Sequence, residues 1–233
     1  LVTADLAKFA EADVVVHLAG RPGVRSSWGS GAAASHRDNV LATRRLLDAC
    51  QRCREGERPR VVVASSSSVY GSATQACRED DPLHPESPYA RAKVAVERLS
   101  AVAARRGLAT VILRYFTLYG PRQRPDMAFH RFIEAALDGR PVPVLGDGAQ
   151  CRSFTFVADA VRATALAALT PLPAGTVLNV GHGSSVPLLS AVSELEAILG
   201  TSLTVDHAGT VPGDVTRTWS ATSRTTELLG WTA

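Results

Sequence analysis

Residues 60–71 read RVVVASSSSVYG, and residues 87–93 read SPYARAK. The first stretch is a valine run that stops in a row of serines. Such a short β-branched run, bounded by polar residues, is the pattern of a strand buried on both faces. The second stretch opens a helix with SPY, and Tyr89 stands four positions before Lys93. Residues four apart on a helix share a face. An ammonium beside a phenol favours the phenolate and lowers its pKa from about 10, giving a general base usable near neutral pH. A tyrosine and a lysine at this spacing are common on helix surfaces. The serine row at the end of the preceding strand is what gives the pair weight.

Outward from this stretch the same pattern repeats. DVVVHLAG at 13–20 and TVILRY at 110–115 read as two more buried strands. A helix is expected over 4–12. Another is expected over 38–54, with Asn39 near its start and Gly56 and Pro59 past its end, and a third over 89–106, closed by Gly107. Strands alternating with helices predict an α/β fold, a parallel sheet covered on both faces. Ligands of such sheets bind beyond the carboxyl ends of the strands. Residues 17–20, 65–68 and 116–120 fall at those ends. Further on, helices are expected over 127–139, 159–169, 187–199 and 223–229. A strand and turn are expected at 141–148 and a strand at 176–181.

The chain has 233 residues, 45% of them hydrophobic, enough for one large or two small domains. The net charge of +3 is mild, and the arginines are scattered rather than massed, so nucleic acid is not an expected partner. No apolar run is long enough for a membrane span, and no signal peptide is visible. Cys50 and Cys53 form a C-x-x-C without a second pair, inside a helical pattern, and the six histidines lack ligand spacing. No metal site is expected, and a reducing, cytoplasmic setting is.

Taken together, HLAG (17–20), DNV (38–40), SSSSVYG (65–71), SPYARAK (87–93), LRYFTLYGPRQRPDMA (113–128), PVLGDGAQCRSFTFVAD (143–159), LNVGHGS (178–184) and PGDV (212–215) resemble the extended short-chain dehydrogenases/reductases, the NAD-dependent epimerase/dehydratase family of nucleotide-sugar enzymes. The resemblance implies a Rossmann-like doubly wound parallel sheet with a smaller C-terminal substrate-binding domain. It places a partial NAD-binding domain at 1–120, with a return around 153–182, and a nucleotide-sugar domain mainly at 121–233. It implies a homodimer formed through the helices at 38–54 and 88–106.

It also implies roles. Ser66, Tyr89 and Lys93 match the catalytic residues acting at the sugar C4 hydroxyl. Ala19, Asn39, Ser65 and Tyr115, with Tyr89 and Lys93, match positions facing NAD; for Asn39 the plain alternative is a helix N-cap, and for Tyr115 the core. Arg152 matches an arginine on the substrate diphosphate, and Val144 and Leu145 lie where backbone groups meet the uracil. Dehydratases of the family carry Asp and Glu after the catalytic serine position, and the decarboxylases a glutamate; here Ser67 and Ser68 stand there. A hydroxyl stays protonated at neutral pH and cannot replace a carboxylate base. Elimination is therefore disfavoured and 4-epimerisation favoured. Thr117, Ser67 and Arg124 match the residues that hold the sugar carboxylate in UDP-glucuronate 4-epimerases, and Arg25 adds positive field.

The sequence departs from the family in three places. No glycine-rich dinucleotide loop precedes residue 13, so both chain ends are expected to be cuts rather than the loop lost. Thr210 and Val211 precede Pro212 where an arginine is frequent. Ser153 follows Arg152 where an aspartate is frequent. The alternatives are epimerisation of a neutral UDP-glucose or UDP-N-acetylglucosamine, a same-fold dehydratase or decarboxylase, and a non-catalytic fragment.

Overall fold

The computed structural model describes residues 1–6, 9, 11–209 and 213–233. The helix expected over 4–12 and the Thr210–Pro212 departure lie partly or wholly outside the described residues.

A four-stranded parallel sheet carries the site. Its order is β1 (Val14–His17), β2 (Arg60–Ser66), β3 (Thr110–Tyr115) and β8 (Thr176–Val180). Side chains alternate between the faces of a strand, and both faces here are apolar. Val61 and Val63 turn toward a core with Leu46, Leu47, Val96 and Leu108. Val62, Val111, Leu113 and Leu178 turn the other way, toward Ala160, Ala163, Leu229 and Trp231. The first core is closed by helices α2 (Ala42–Gln51) and α3 (Pro88–Arg105), the second by α5 (Val157–Leu169) and α7 (Ser223–Leu229). The helix expected to start at residue 38 starts earlier. Gly31–Ser35 form α1, and a π-type turn at His36–Leu41 joins it to α2, which ends at Gln51.

Between β3 and β8 the chain makes an excursion. It leaves along β4 (Thr117–Tyr119) and returns along β7 (Phe154–Phe156), and these two pair in parallel at the base of the excursion. The lobe beyond has its own small core of Phe132, Val142, Val144, Leu188 and Val192. That core lies among α4 (Ala128–Leu137), β5 (Val142–Leu145) and α6 (Leu188–Leu199). β6 (Cys151–Arg152) pairs with β9 (Val186–Pro187), and β10 (Val205–Ala208) with β5. β10 was not expected from the sequence. The last residues do not stay with the lobe: Trp231 is fully buried in the sheet core and its indole donates to Asp159 O.

Candidate active site

A cleft of about 590 Å³ opens where β1, β2 and β3 end and the lobe begins. Each strand end contributes. Leu18 and Gly20 follow β1, Ser65–Ser68 end β2, and Tyr115–Leu118 end β3. A larger groove, about 860 Å³, lies between α4 and α6, away from the strand ends, and its walls are mostly apolar.

The helix start delivers Tyr89 to the cleft. Ser87 caps α3, its hydroxyl accepting from Ala90 N at 3.1 Å, and Pro88 supplies the first turn. Tyr89 N donates to the buried Ser27 hydroxyl at 3.1 Å, tying the loop after β1 to the same turn. Ser66 caps the 3₁₀ turn Ser67–Tyr70. Its oxygen accepts from Ser68 N at 3.2 Å and the Ser68 hydroxyl at 3.0 Å, which leaves its own proton to give. Lys93 Nζ donates to Ala64 O at 2.9 Å and lies 5.8 Å from the centre of the Tyr89 ring.

The electrostatics differ from the simple pairing of ammonium and phenol. Burial pushes the Tyr89 phenol up; what holds it down are a hydrogen bond with Ser66 and the charge of Arg124, not Lys93. Burial lowers Lys93 to about 8, against the pull of Glu97. His17, at the end of β1, is buried against Thr43 Oγ1 at 2.8 Å and is lowered to about 4, chiefly by desolvation and then by the charge of Lys93.

Of the residues singled out from the sequence, Asn39, Ser65, Ser66, Ser67, Tyr89, Lys93, Tyr115, Thr117, Arg124 and Arg152 all line this one cleft. Three do not. Ala19 is exposed between two lining residues. Arg25 points at Asp214 from 3.8 Å. Val144 is fully buried in the lobe core, because strand alternation turns it inward with Val142. Its neighbour Leu145 lines a pocket of about 440 Å³ that adjoins the cleft at Asp214 and Val215.

Asn39 is no N-cap. It sits inside the π-type turn, where its amide donates to Arg21 O and Ser35 O, while Oδ1 is buried without a partner. That orphaned acceptor lies against Gly20, where any Cβ would come within 2.5 Å of it. An unpaired buried acceptor at a strand end is costly unless a ligand meets it. With Lys93 and Ser65 beside it, the wall fits a ribose-nicotinamide unit. Tyr115 donates to, or accepts from, Thr164 Oγ1 at 2.6 Å and faces both cleft and core.

On the lobe side the cations already have partners. Arg124 grips Asp126 with Nε and Nη2 at 2.8 and 2.6 Å. Arg152 holds Asp214 at 2.6 Å. Gly213 takes φ +77, and a Cβ there would meet Trp28 and Ser87 at 3.2 to 3.3 Å; Gly213 and Asp214 both line the cleft. Sequence reasoning gave Asp214 no role; its signal was the invariable partner an arginine needs when half-buried. Among the described residues no three His, Cys, Asp or Glu side chains could share a metal ion, and no helix is long and apolar enough to cross a membrane.

Comparison with known proteins agrees with this geometry. The model of the NAD dependent epimerase/dehydratase family matches residues 2–181. The chain is 42% identical to the uncharacterized UDP-glucose epimerase YtcB of Bacillus subtilis, over 98% of this chain and 72% of that protein. It is 34% identical to the UDP-glucuronate 4-epimerase of Thermodesulfobacterium geofontis, over 93% of this chain and 66% of that protein. The UDP-glucuronic acid 4-epimerase of Bacillus cereus, solved with UDP-glucuronic acid and NAD, superposes with a TM-score of 0.94 at 40% identity, covering 99% of this chain and 74% of that one. The chain thus spans about two thirds to three quarters of the length of these proteins.

Proposed function

The chain belongs to the NAD dependent epimerase/dehydratase family, and on that premise we propose that the protein carrying it inverts C4 of UDP-glucuronate, giving UDP-galacturonate. NAD, when bound, would supply the hydride acceptor and donor for C4. Tyr89 takes the proton of the C4 hydroxyl and gives it back, and Ser66, with its free proton, hydrogen-bonds the same oxygen. Lys93 would hold the nicotinamide ribose, with Asn39 Oδ1, Ser65 and Tyr115 completing that wall. The resulting 4-keto sugar turns within the cleft and is reduced on its other face.

The observation that carries the acidic sugar is the opposite wall. Ser67, Thr117 and Arg124 line the cleft together with Tyr89, so two hydroxyls and a guanidinium can hold a sugar carboxylate. Oxidation at C4 makes a β-keto acid, which loses CO2 easily, and a fixed carboxylate is kept out of the alignment that expels it. Serines at 67 and 68 put no carboxylate at the strand-end positions where the family's dehydratases carry their acid and base. Arg152 receives the diphosphate. Leu145 and its neighbours in the adjoining pocket receive the base; Val144 contributes only through its backbone.

A neutral sugar is the second reading, favoured by the name of the Bacillus subtilis relative. The purified protein is offered UDP-glucuronate and UDP-glucose, and products are followed by NMR. UDP-galacturonate is the expected product; turnover of UDP-glucose alone would move the assignment to a neutral-sugar epimerase, and a stable keto product to a dehydratase or decarboxylase. The proposal includes a cytoplasmic homodimer joined through α2 and α3, and the division into dinucleotide and sugar domains near residue 120. Light scattering at twice the chain mass tests the first.

A further inference from the structure

We propose that Glu97 is a positioning residue for this reaction: its buried carboxylate, gripped by Arg114, fixes Ser65 and so sets Ser66 against Tyr89. The inference rests on the proposed epimerase reading for the roles of Ser66, Tyr89 and Lys93.

Helix α3 meets the end of β2 at three points one helical turn apart. Tyr89 bonds with Ser66, Lys93 Nζ donates to Ala64 O, and Glu97 Oε1 accepts from the Ser65 hydroxyl at 2.5 Å. Three consecutive residues of the strand end are thus held by three side chains at i, i+4 and i+8, all on one helix face. Glu97 is itself held. Arg114 of β3 donates from Nε to Oε1 at 2.9 Å and from Nη2 to Oε2 at 2.8 Å. Its Nη1 donates to the Tyr70 hydroxyl at 2.7 Å and to Glu79 O at 3.0 Å, and Tyr70 donates to Asn179 Oδ1 at 2.8 Å.

The side chains of Glu97 and Arg114 are 8% and 5% exposed. A buried ion pair is poor value for stability, since desolvating both ions costs about what their attraction returns. Here one end of the pair is fixed to the strand that presents Ser66, since Glu97 Oε1 holds the hydroxyl of Ser65 next to it. The pair also acts on Lys93. The charged or titratable groups facing that ammonium are Glu97 on its own helix, Tyr89 one turn before, buried neutral His17 from β1, and Arg114 from β3, already neutralised by Glu97. Glu97 is the one anion among them, and it alone opposes the burial that lowers Lys93.

Glu97→Gln keeps the shape and removes the charge. The expected result is a kcat about tenfold lower, with KM for the sugar nucleotide changed less than twofold. The alkaline limb of the kcat profile should move about one unit to lower pH. Glu97→Asp should restore the limb. Because Glu97→Gln strands Arg114, the double variant Glu97→Gln, Arg114→Met is made as well; replacing both members of a buried pair is tolerated better than removing one. Independently of turnover, the Lys93 titration is followed by reductive methylation against pH and mass spectrometry, and should shift the same way in both variants. A folded double variant with an unmoved limb and an unmoved Lys93 titration overturns the proposal. A parent protein that turns over no sugar nucleotide, yet shows the Lys93 shift, overturns the epimerase reading and leaves the network intact.

Discussion

The two walls of the cleft are built differently. On the sheet side, Ser66, Tyr89 and Lys93 come from a strand end and a capped helix locked together by buried hydrogen bonds. On the lobe side, Arg124 and Arg152 come from a loop and a two-residue strand, and their charges are spent on Asp126 and Asp214. The groups proposed to make and break bonds are held in place by the chain itself, while those proposed to recognise the sugar nucleotide are paired with its carboxylates. Catalysis tolerates little misplacement, whereas the exposed Arg124–Asp126 pair contributes only about 0–1 kcal/mol and is easily exchanged.

Four measurements bear on that contrast. Tyr89→Phe removes the base from the fixed wall, and kcat should fall about 10³-fold with unchanged circular dichroism; a loss under tenfold would mean that another group takes the proton. His17 sets the acid side of stability. Its folded value of about 4 lies below its ordinary 6.5, so between those values the unfolded chain binds the extra proton. Stability is full above pH 6.5 and is lost as pH falls toward 4, by about 3 kcal/mol. Urea unfolding at pH 7 and 4.5 reads this, and His17→Gln should flatten it. Leu113→Ala, in the sheet core, should cost about 3 kcal/mol, against about 1 for the half-buried Leu195→Ala in the lobe; equal costs would erase the difference in rigidity. The smallest effect is expected on the exchanging wall. Arg124→Ala or Thr117→Ala should raise KM for UDP-glucuronate about tenfold, since a lost charged hydrogen bond is worth about 1.5 kcal/mol, and release UDP-4-keto-pentose; UDP-glucose kinetics should be untouched. Epimerisation unchanged and no leak would sink the carboxylate clamp.

The sheet side was legible in the sequence for the same reason that it is rigid. Parallel strands buried on both faces need unbroken apolar runs, and β2 and β3 show them; β1 carries such a run too, although it lies at the sheet edge and its Val16 is 43% exposed, against the expectation of a buried strand. The lobe was less legible. β4, β6, β7, β9 and β10 are two to four residues long, too short for a period to show. Residues 205–208 read VDHA and lie mostly exposed, so no alternation marks them. The start of the helix at Gly31 was hidden because GAAAS carries no large apolar residue. For Val144, the alternation Val-Pro-Val-Leu did hold the answer: if Val142 turns in, Leu145 turns out. Glu97 escaped notice because an acid four residues after a lysine is ordinary on a helix surface. Only the arrival of Arg114 from another strand makes it unusual.

Asp214 has a consequence for how the anion seat behaves. Its carboxylate rests on Arg152 and faces Arg25, so the seat always has a tenant. On the proposed reading, an incoming diphosphate brings two negative charges and displaces the single charge of Asp214 instead of meeting bare cations. The affinity of such a swap should depend on ionic strength more weakly than two arginines alone would suggest, because salt screens the departing partner as well as the arriving one.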